Sequence, residues 1–346
     1  MATSRWSPRR ALVGSLAVLA AIVAIDVVFP RITLSASYAV AAVVAAAMTT
    51  VRRTAQVALL ALVLATSSGL WNHNFGTLDW TLRTMLTVGL GALAVLSART
   101  RVRREHDLRH MTVIAETAQR ALLRSMPNSI GSVGFAARYV SATREALVGG
   151  DLYEVAASPY GVRVIVGDVR GKGLDAVQLA GTVLGAFRRS AFTQPSLAAI
   201  ATDLDAVVTA VAGDEDFVTA VLAEFHEDQT MTLVNCGHHA PLLVTGPDTA
   251  TVVPTGEPVP PLGLGPVPRP VTSGWPGGSR LLIFTDGLIE ARDPRGTFFP
   301  LEDHASALGT GSLDDALDRL LARLDDHAGE RIDDDMALVL VEHLAT

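Results

Sequence analysis

Cysteine is nearly absent: Cys236 is the only one in 346 residues. A single thiol excludes an internal disulfide and any cysteine-cluster metal site, and it fits a reducing compartment. Basic charge is scarce in the second part of the chain. Residues 127–346 hold 14 basic and 30 acidic side chains, a net −16. That balance argues against nucleic-acid binding, which needs a basic footprint. The same stretch lacks a phosphate-cradling Gly-Lys-Ser/Thr loop, which weighs against a nucleotide substrate. Internal repeats are also missing. Residues 1–126 are the opposite in sign, with 14 arginines against 5 acids. They also concentrate the apolar excess behind a hydrophobic content of 49%.

That excess lies in four apolar segments, about Ala11–Phe29, Leu34–Val51, Thr54–Trp71 and Leu78–Ala98. Each is close to the roughly 20 residues that cross a bilayer as a helix. Residues 1–98 are therefore expected to form a four-helix transmembrane region. A cleaved signal peptide would account for the first segment alone, and a transporter would need more spans or a recognisable repeat. Arg5, Arg9 and Arg10, then Arg52 and Arg53, then Arg99, Arg101, Arg103 and Arg104 fall on one side if all four segments cross; only Arg31 falls on the other. By the positive-inside bias the protein is multi-pass in the cell membrane, with both termini cytoplasmic. Asp26 and Arg83 lie near the outer ends of the first and fourth segments, where they either snorkel or pair.

Residues 99–127 read as a charged helical linker that Pro127 ends. Leu108, Met111, Ala115, Ala118 and Leu122 make a short seam at spacings of three and four. It suits an ordinary amphipathic helix or a homodimer paired through 99–126. Residues 128–346 form the second domain. Strand-like runs lie at Val133–Val140, Leu152–Ala157, Val162–Val166, Phe217–Phe225, Met231–Asn235, Pro241–Thr245, Leu281–Thr285 and Met336–Val341. Helical patterns lie at Leu174–Phe192, Ser196–Val211 and Leu313–Asp325. The Pro/Gly-rich stretch from Pro247 to Gly278 has no periodicity and reads as a long surface loop or flap. Hairpins with a few long helices predict an α+β layered sandwich.

Acidic turns recur beside the apolar runs: Gly-Gly-Asp151, Gly-Asp168, Thr-Asp286-Gly and the Asp333–Asp335 run. One Asp-Gly is an ordinary turn. Several carboxylates at strand ends are another matter, because together they repel unless cations sit among them. Rigid oxygen ligands suit Mg2+ or Mn2+, and a paired-metal hydrolytic site is the economical reading.

The ordered set GGDLYE, GDVRGKG, Phe217-Val-Thr-Ala220, NCGHHAP (Asn235–Pro241), FTDGLIEARD and DDM (Asp334–Met336) resembles the metal-dependent protein phosphatase (PPM, 2C-like) family. It looks most like the bacterial SpoIIE/RsbU branch, over about residues 115–343 including the Gln119…Leu122-Leu123…Pro127 approach. The resemblance implies an α/β/β/α sandwich of antiparallel sheets, two Mn2+ or Mg2+ ions, and hydrolysis of phosphoserine or phosphothreonine on a protein. It implies that Asp168 bridges both ions and that the Val169 carbonyl binds one. Asp286 and Asp334 complete the ligands, Asp151 acts directly or through water, and a bridging hydroxide attacks phosphorus in line. In this branch the usual substrate is a phosphorylated anti-sigma-factor antagonist.

Departures from the family pattern are few. Leu152-Tyr153-Glu154 replaces the usual Trp-Tyr-Asp, and Lys172 stands where many relatives carry His. Arg170 occupies a position where other relatives place an acid; it and Arg144 are candidate phosphate clamps or plain surface ion pairs. His238 and His239 invite either a metal or acid–base role, or a turn histidine bonded to backbone. Cys236 reads as buried packing. A catalytically silent membrane scaffold that binds a phosphoprotein is the alternative, and loss of a metal aspartate would mark it; none is lost.

Overall fold

A computed structural model describes residues 8–29, 37–141, 149–213, 215–247, 249–329 and 334–344. Arg144 and Asp333 lie outside the described residues. The chain divides into two units, Met1–His110 and Met111–Thr346.

The first unit is built on helices α1 (Pro8–Val28), α2 (Tyr38–Met48), α3 (Val51–Trp71) and the start of α4 (Leu78–Leu122). Three of them, α1, α3 and α4, are long and apolar enough to cross a membrane. The second expected span differs. As described, α2 has 11 residues, about 16 Å of helix, and the residues before Ser37 lie outside the described set. At its far end Thr49 turns extended, and Thr50 caps the start of α3. Small side chains line the inside, with Ala41, Ala42, Ala45, Ala61 and Ala65 buried, while Val13, Leu59, Val63, Met85 and Leu93 are exposed. This is the arrangement of helices that pack closely in lipid.

Asp26 and Arg83 pair. They lie 3.3 Å apart and are both almost fully buried. Asp26 also accepts hydrogen bonds from Tyr38 Oη (2.7 Å), Trp71 Nε1 (3.1 Å) and Asn72 Nδ2 (3.1 Å). One carboxylate thus gathers the end of α1, the start of α2, the end of α3 and the start of α4. At the opposite ends Arg101 Nε donates to the Ala46 carbonyl at 3.0 Å.

The second unit carries two antiparallel sheets. The first has six strands in the order β1 (Ser129–Ile130), β2 (Val133–Val140), β11 (Met336–His343), β10 (Arg280–Phe284), β7 (Leu242–Gly246) and β8 (Thr249–Val252). The other has five, in the order β3 (Leu152–Ser158), β4 (Gly161–Val169), β5 (Val218–Phe225), β6 (Thr230–Cys236) and β9 (Val271–Gly274). Alternation along each strand splits the core into three layers. Val221, Ala223, Val339 and Val341 meet between the sheets. Ala220 and Leu222 face α5 (Leu174–Thr193) and α6 (Leu197–Val211). Leu338 and Leu340 face α8 (Leu301–His304) and α9 (Leu313–Ala328). The result is an α/β/β/α sandwich of antiparallel sheets.

Each helix layer is tied to its sheet by a buried arginine. Arg163 pairs with its cross-strand neighbour Glu224 and donates to the carbonyls of Ala191 (2.8 Å) and Gln194 (2.7 Å) at the end of α5. Arg280 pairs with its neighbour Glu342 at 3.0 Å and donates to the carbonyls of Leu308 (2.7 Å) and Gly311 (2.6 Å). Both satisfy carbonyls that helix ends and turns leave open.

One expectation needs correction and another is refined. The Pro247–Gly278 segment is not all loop, since it contains β8 and β9, and Leu262 exchanges two backbone bonds with Val218 (2.9 and 3.0 Å). Edge strands of 4 residues are too short to show a period against so much proline and glycine. The linker seam is also divided: Ala115 packs on Val177 of α5, and Leu122 packs against Gly181. Only Leu108 and Met111 stay exposed.

The buried ion pair gives a stability test. Asp26→Leu leaves Arg83 without its main counter-ion, and full-length protein in detergent should lose roughly 3–5 kcal/mol. Thermal unfolding of Asp26→Leu, and of the double variant with Arg83→Met, checks this; the double variant should recover most of the loss.

Candidate active site

The acidic turns converge where one end of each sheet meets the other. Asp151 immediately precedes β3, and Asp168 sits near the end of β4 opposite Thr219. These two belong to the five-stranded sheet. Asp286 opens the short helix α7 (Asp286–Ile289), one residue beyond the end of β10, and Asp334 and Asp335 directly precede β11. Those belong to the six-stranded sheet.

Neutral hydrogen bonds hold the two sides together. The fully buried Thr285 donates its hydroxyl to Asp151 Oδ2 at 2.8 Å and accepts from the Ala337 N–H at 2.8 Å. The Gly149 N–H donates to Asp335 Oδ2. His238 spans the sheets as well: Nε2–H donates to the Phe284 carbonyl at 2.9 Å, so Nδ1 accepts from the Thr219 hydroxyl at 2.8 Å. Its backbone is set by Asn235, whose Oδ1 accepts the His238 N–H at 2.7 Å. Burial and the neighbouring His239 push the His238 pKa down to about 4. A neutral ring with both nitrogens engaged is a tie, neither ligand nor proton carrier. Thr285 and Thr219 were missed from sequence; their signal was a threonine adjoining or facing a motif aspartate.

Two glycines permit the close approach. A Cβ at Gly150 would lie 2.6 Å from the Val169 carbonyl oxygen, and one at Gly287 would lie 2.1 Å from the Asp335 carbonyl oxygen. Any side chain there would push the turns apart.

The electrostatics follow from the crowding. Burial, then the charge of Asp168, holds the Asp151 carboxyl well above the usual range, with Thr285 opposing. Burial and Asp286 lift Asp168 to about 7, with Lys172 opposing. Burial and Asp334 raise Asp286. Lys172 is the chain's only lysine. Its Nζ donates to Asp334 Oδ1 at 2.6 Å, and this partner keeps it protonated against the effect of burial. Beside it a cavity of about 470 Å³ is lined by Val169, Arg170, Gly171, Lys172, Asp175 and Asp216 among others.

Other candidates are engaged by partners of their own. Arg170 is half-exposed, donates to the Glu215 carbonyl and lies over the Phe217 ring, a surface arrangement. Glu154 pairs with Arg188, and Leu152 is core. Cys236 is fully buried, and burial pushes its thiol up to about 12, which leaves no nucleophile. The end of α4 reaches the site, with Gln119 Nε2 donating to the Asp151 carbonyl at 3.3 Å.

Among the described residues no three His, Cys, Asp or Glu side chains are gathered tightly enough to hold one ion. The donor set nevertheless fits hard divalent cations. Every candidate is an oxygen, and burial together with neighbouring like charges raises the pKa of three of the carboxylates.

The family model for Stage II sporulation protein E (SpoIIE) matches residues 158–344, just over half of the chain. The chain belongs to the SpoIIE family. Solved structures agree on the fold. The RsbU and RsbW domains of Rv1364c from Mycobacterium tuberculosis match at 26% identity and TM-score 0.52, covering 62% of this chain and 60% of that one. The SiaA-PP2C domain of Pseudomonas aeruginosa matches at 17% identity and TM-score 0.59, covering 72% of this chain and 100% of that one. The PP2C phosphatase domain of SpoIIE from Bacillus subtilis, with a fragment of its regulatory domain, matches at 18% identity and TM-score 0.53, covering 62% and 64%. The alignment thus spans less than two thirds of the first and third of these proteins.

The raised carboxylates predict a pH effect on this SpoIIE-family chain when cations are withheld. A group whose folded pKa exceeds its unfolded value stabilises below the unfolded pKa, and that support is lost as pH rises through the folded pKa. For Asp168 the window runs from 3.8 to about 7. In chelator at pH 7.5, Asp168→Asn should therefore unfold at a higher temperature than the parent, by the equivalent of roughly 1–3 kcal/mol. Added Mn2+ should stabilise the parent far more than the variant.

Proposed function

We propose that the Met111–Thr346 unit is a metal-dependent protein serine/threonine phosphatase, held at a membrane by the helices before it. The observation that carries this is the meeting of Asp151, Asp168, Asp286 and Asp334 at the ends of two sheets in a SpoIIE-family fold. Asp168, the Val169 carbonyl, Asp286 and Asp334 would hold two Mn2+ or Mg2+ ions, with Asp151 acting directly or through water. Bound there, the ions would supply an activated water and offset the charge of the phosphoryl oxygens.

The chain's own residues prepare the place. Thr285 fixes the rotamer of Asp151 by donating to one of its oxygens. His238 and Thr219 lock β5 to the end of β10, which steadies Asp168 on the neighbouring β4 and Asp286 at the start of α7. Lys172 holds Asp334 and brings a positive charge to the rim where a phosphate must enter.

The substrate class we favour is a phosphoserine or phosphothreonine protein of the anti-sigma-factor-antagonist type. Support comes from the M. tuberculosis relative, whose structure contains an RsbW domain along with its RsbU domain. Membrane placement is supported by the three long apolar helices and by Arg52, Arg53, Arg99 and Arg101, which collect at the end of the first unit away from Asp26. That bias favours cytoplasmic termini and a cytoplasmic phosphatase unit. Pairing of two chains along 99–126 has only the Leu108 and Met111 half of its seam to use.

Full-length protein in detergent should hydrolyse p-nitrophenyl phosphate and phosphoserine peptides with Mn2+ or Mg2+ and stop in excess chelator. Asp168→Asn and Asp286→Asn should each lower turnover on the order of 100-fold or more while unfolding stays cooperative. Full turnover in chelator overturns the reading.

A further inference from the structure

The polar cavity beside Lys172 is one flank of the carboxylate cluster. The other flank is different in kind. On the Asp286 side a groove of about 480 Å³ is lined by Leu242, Val252, Phe284, Ile289 and Leu301, with Glu302 and Asp303 at its edge. Its floor is continuous with the site. Phe284 ends the strand that delivers Asp286, and Ile289 ends the short helix that Asp286 begins. His239 also lines the groove and stacks on the Phe284 ring at 6.2 Å.

A phosphate has no use for an apolar groove, but the residues on either side of a phosphorylated side chain do. A chain that brings phosphate to Asp168 and Asp286 has this groove directly beside it. Val252 is 48% exposed on the edge strand β8, so the groove opens to solvent through an apolar side chain. Glu302 and Asp303 are exposed and make no ion pair among the described residues. Their charge disfavours an anionic lipid surface and favours a basic side chain.

Resting on the phosphatase reading above, we infer that this groove seats the residues flanking the phosphoserine or phosphothreonine of the substrate protein. It selects an apolar side chain for the Val252–Phe284–Ile289 floor next to a basic one for Glu302 and Asp303. Recognition is thus divided: the carboxylate cluster handles the phosphoryl group, and the groove handles the sequence around it.

The test uses full-length protein in detergent with Mn2+. The probes are three synthetic phosphoserine peptides flanked on both sides by Leu-Arg, Leu-Glu or Gly-Arg, with p-nitrophenyl phosphate as a substrate that has no flanks. The Leu-Arg peptide should exceed each of the others in kcat/KM by about tenfold. In Glu302→Lys/Asp303→Lys the ratio of Leu-Arg to Leu-Glu should invert. In Val252→Asp the ratio of Leu-Arg to Gly-Arg should fall toward one. Asp325→Lys/Asp326→Lys, an equal charge change on the exposed face of α9, should leave both ratios where they were. Equal kcat/KM for the three peptides overturns the inference, as does a ratio that the α9 change shifts as much as the groove change does. If p-nitrophenyl phosphate is also inert, the phosphatase reading itself has failed; if it alone is turned over, only the groove has.

Discussion

Like charges brought close together in a poorly solvated place are the constraint on which the second unit is organised. Burial first, and then their mutual repulsion, hold the carboxyls of Asp151, Asp168 and Asp286 above the usual carboxylate range. No local preference of the chain would gather them. They are forced together by strand ladders that leave little slack: β4 pairs with β3 over Gly161–Gly167 and with β5 over Val162–Val169, and β11 is paired with β2 over eight residues. The three-layered core therefore does more than keep the domain folded. It supplies the stiffness against which an unfavourable electrostatic arrangement is maintained.

Rigidity alone would not register one sheet against the other at the scale of a carboxylate. That is the task of small uncharged groups. Thr285 and His238 each take one bond from one sheet and give one to the other, and neither adds charge to a place already overloaded with it. A histidine kept neutral by burial suits this better than a cation, which would quench the field that attracts metal and water. The first unit shows the opposite solution. There a single buried acid is answered by a buried arginine and three neutral donors, so that little net field remains.

Much of this could be read from the chain itself. The strands from Val133–Val140 to the last one, and the helices α5, α6 and α9, carry clean periods because each is covered on one face or both. The aspartates announce themselves by recurring at strand ends. What could not be read has a physical cause in each case. β8 and β9 are four-residue edge strands whose order comes from a neighbour, not from their own side chains. The seam on α4 has one pattern and two uses: Ala115 and Leu122 turn inward to α5, while Leu108 and Met111 do not. Periodicity records that a face is apolar and is silent about what covers it. Asp26 and Arg83 lie 57 residues apart, and no local pattern distinguishes a pair from two snorkelling side chains. Thr285 adjoins Asp286 in sequence but bonds to Asp151, 134 residues away, a pairing that only the fold creates.

Lys172 has a consequence of another kind. The other 27 basic side chains are arginines, whose guanidinium is inert toward most electrophiles. Apart from its amino terminus, then, the protein offers amine-seeking reagents a single address. That address lies at the mouth of the carboxylate cluster, with its nitrogen 2.6 Å from Asp334. Acylation there would remove a positive charge and lengthen a side chain in one step, directly beside a carboxylate of the acidic turns. Chemistry that would scatter over the surface of a lysine-rich relative is here confined to the threshold of the site.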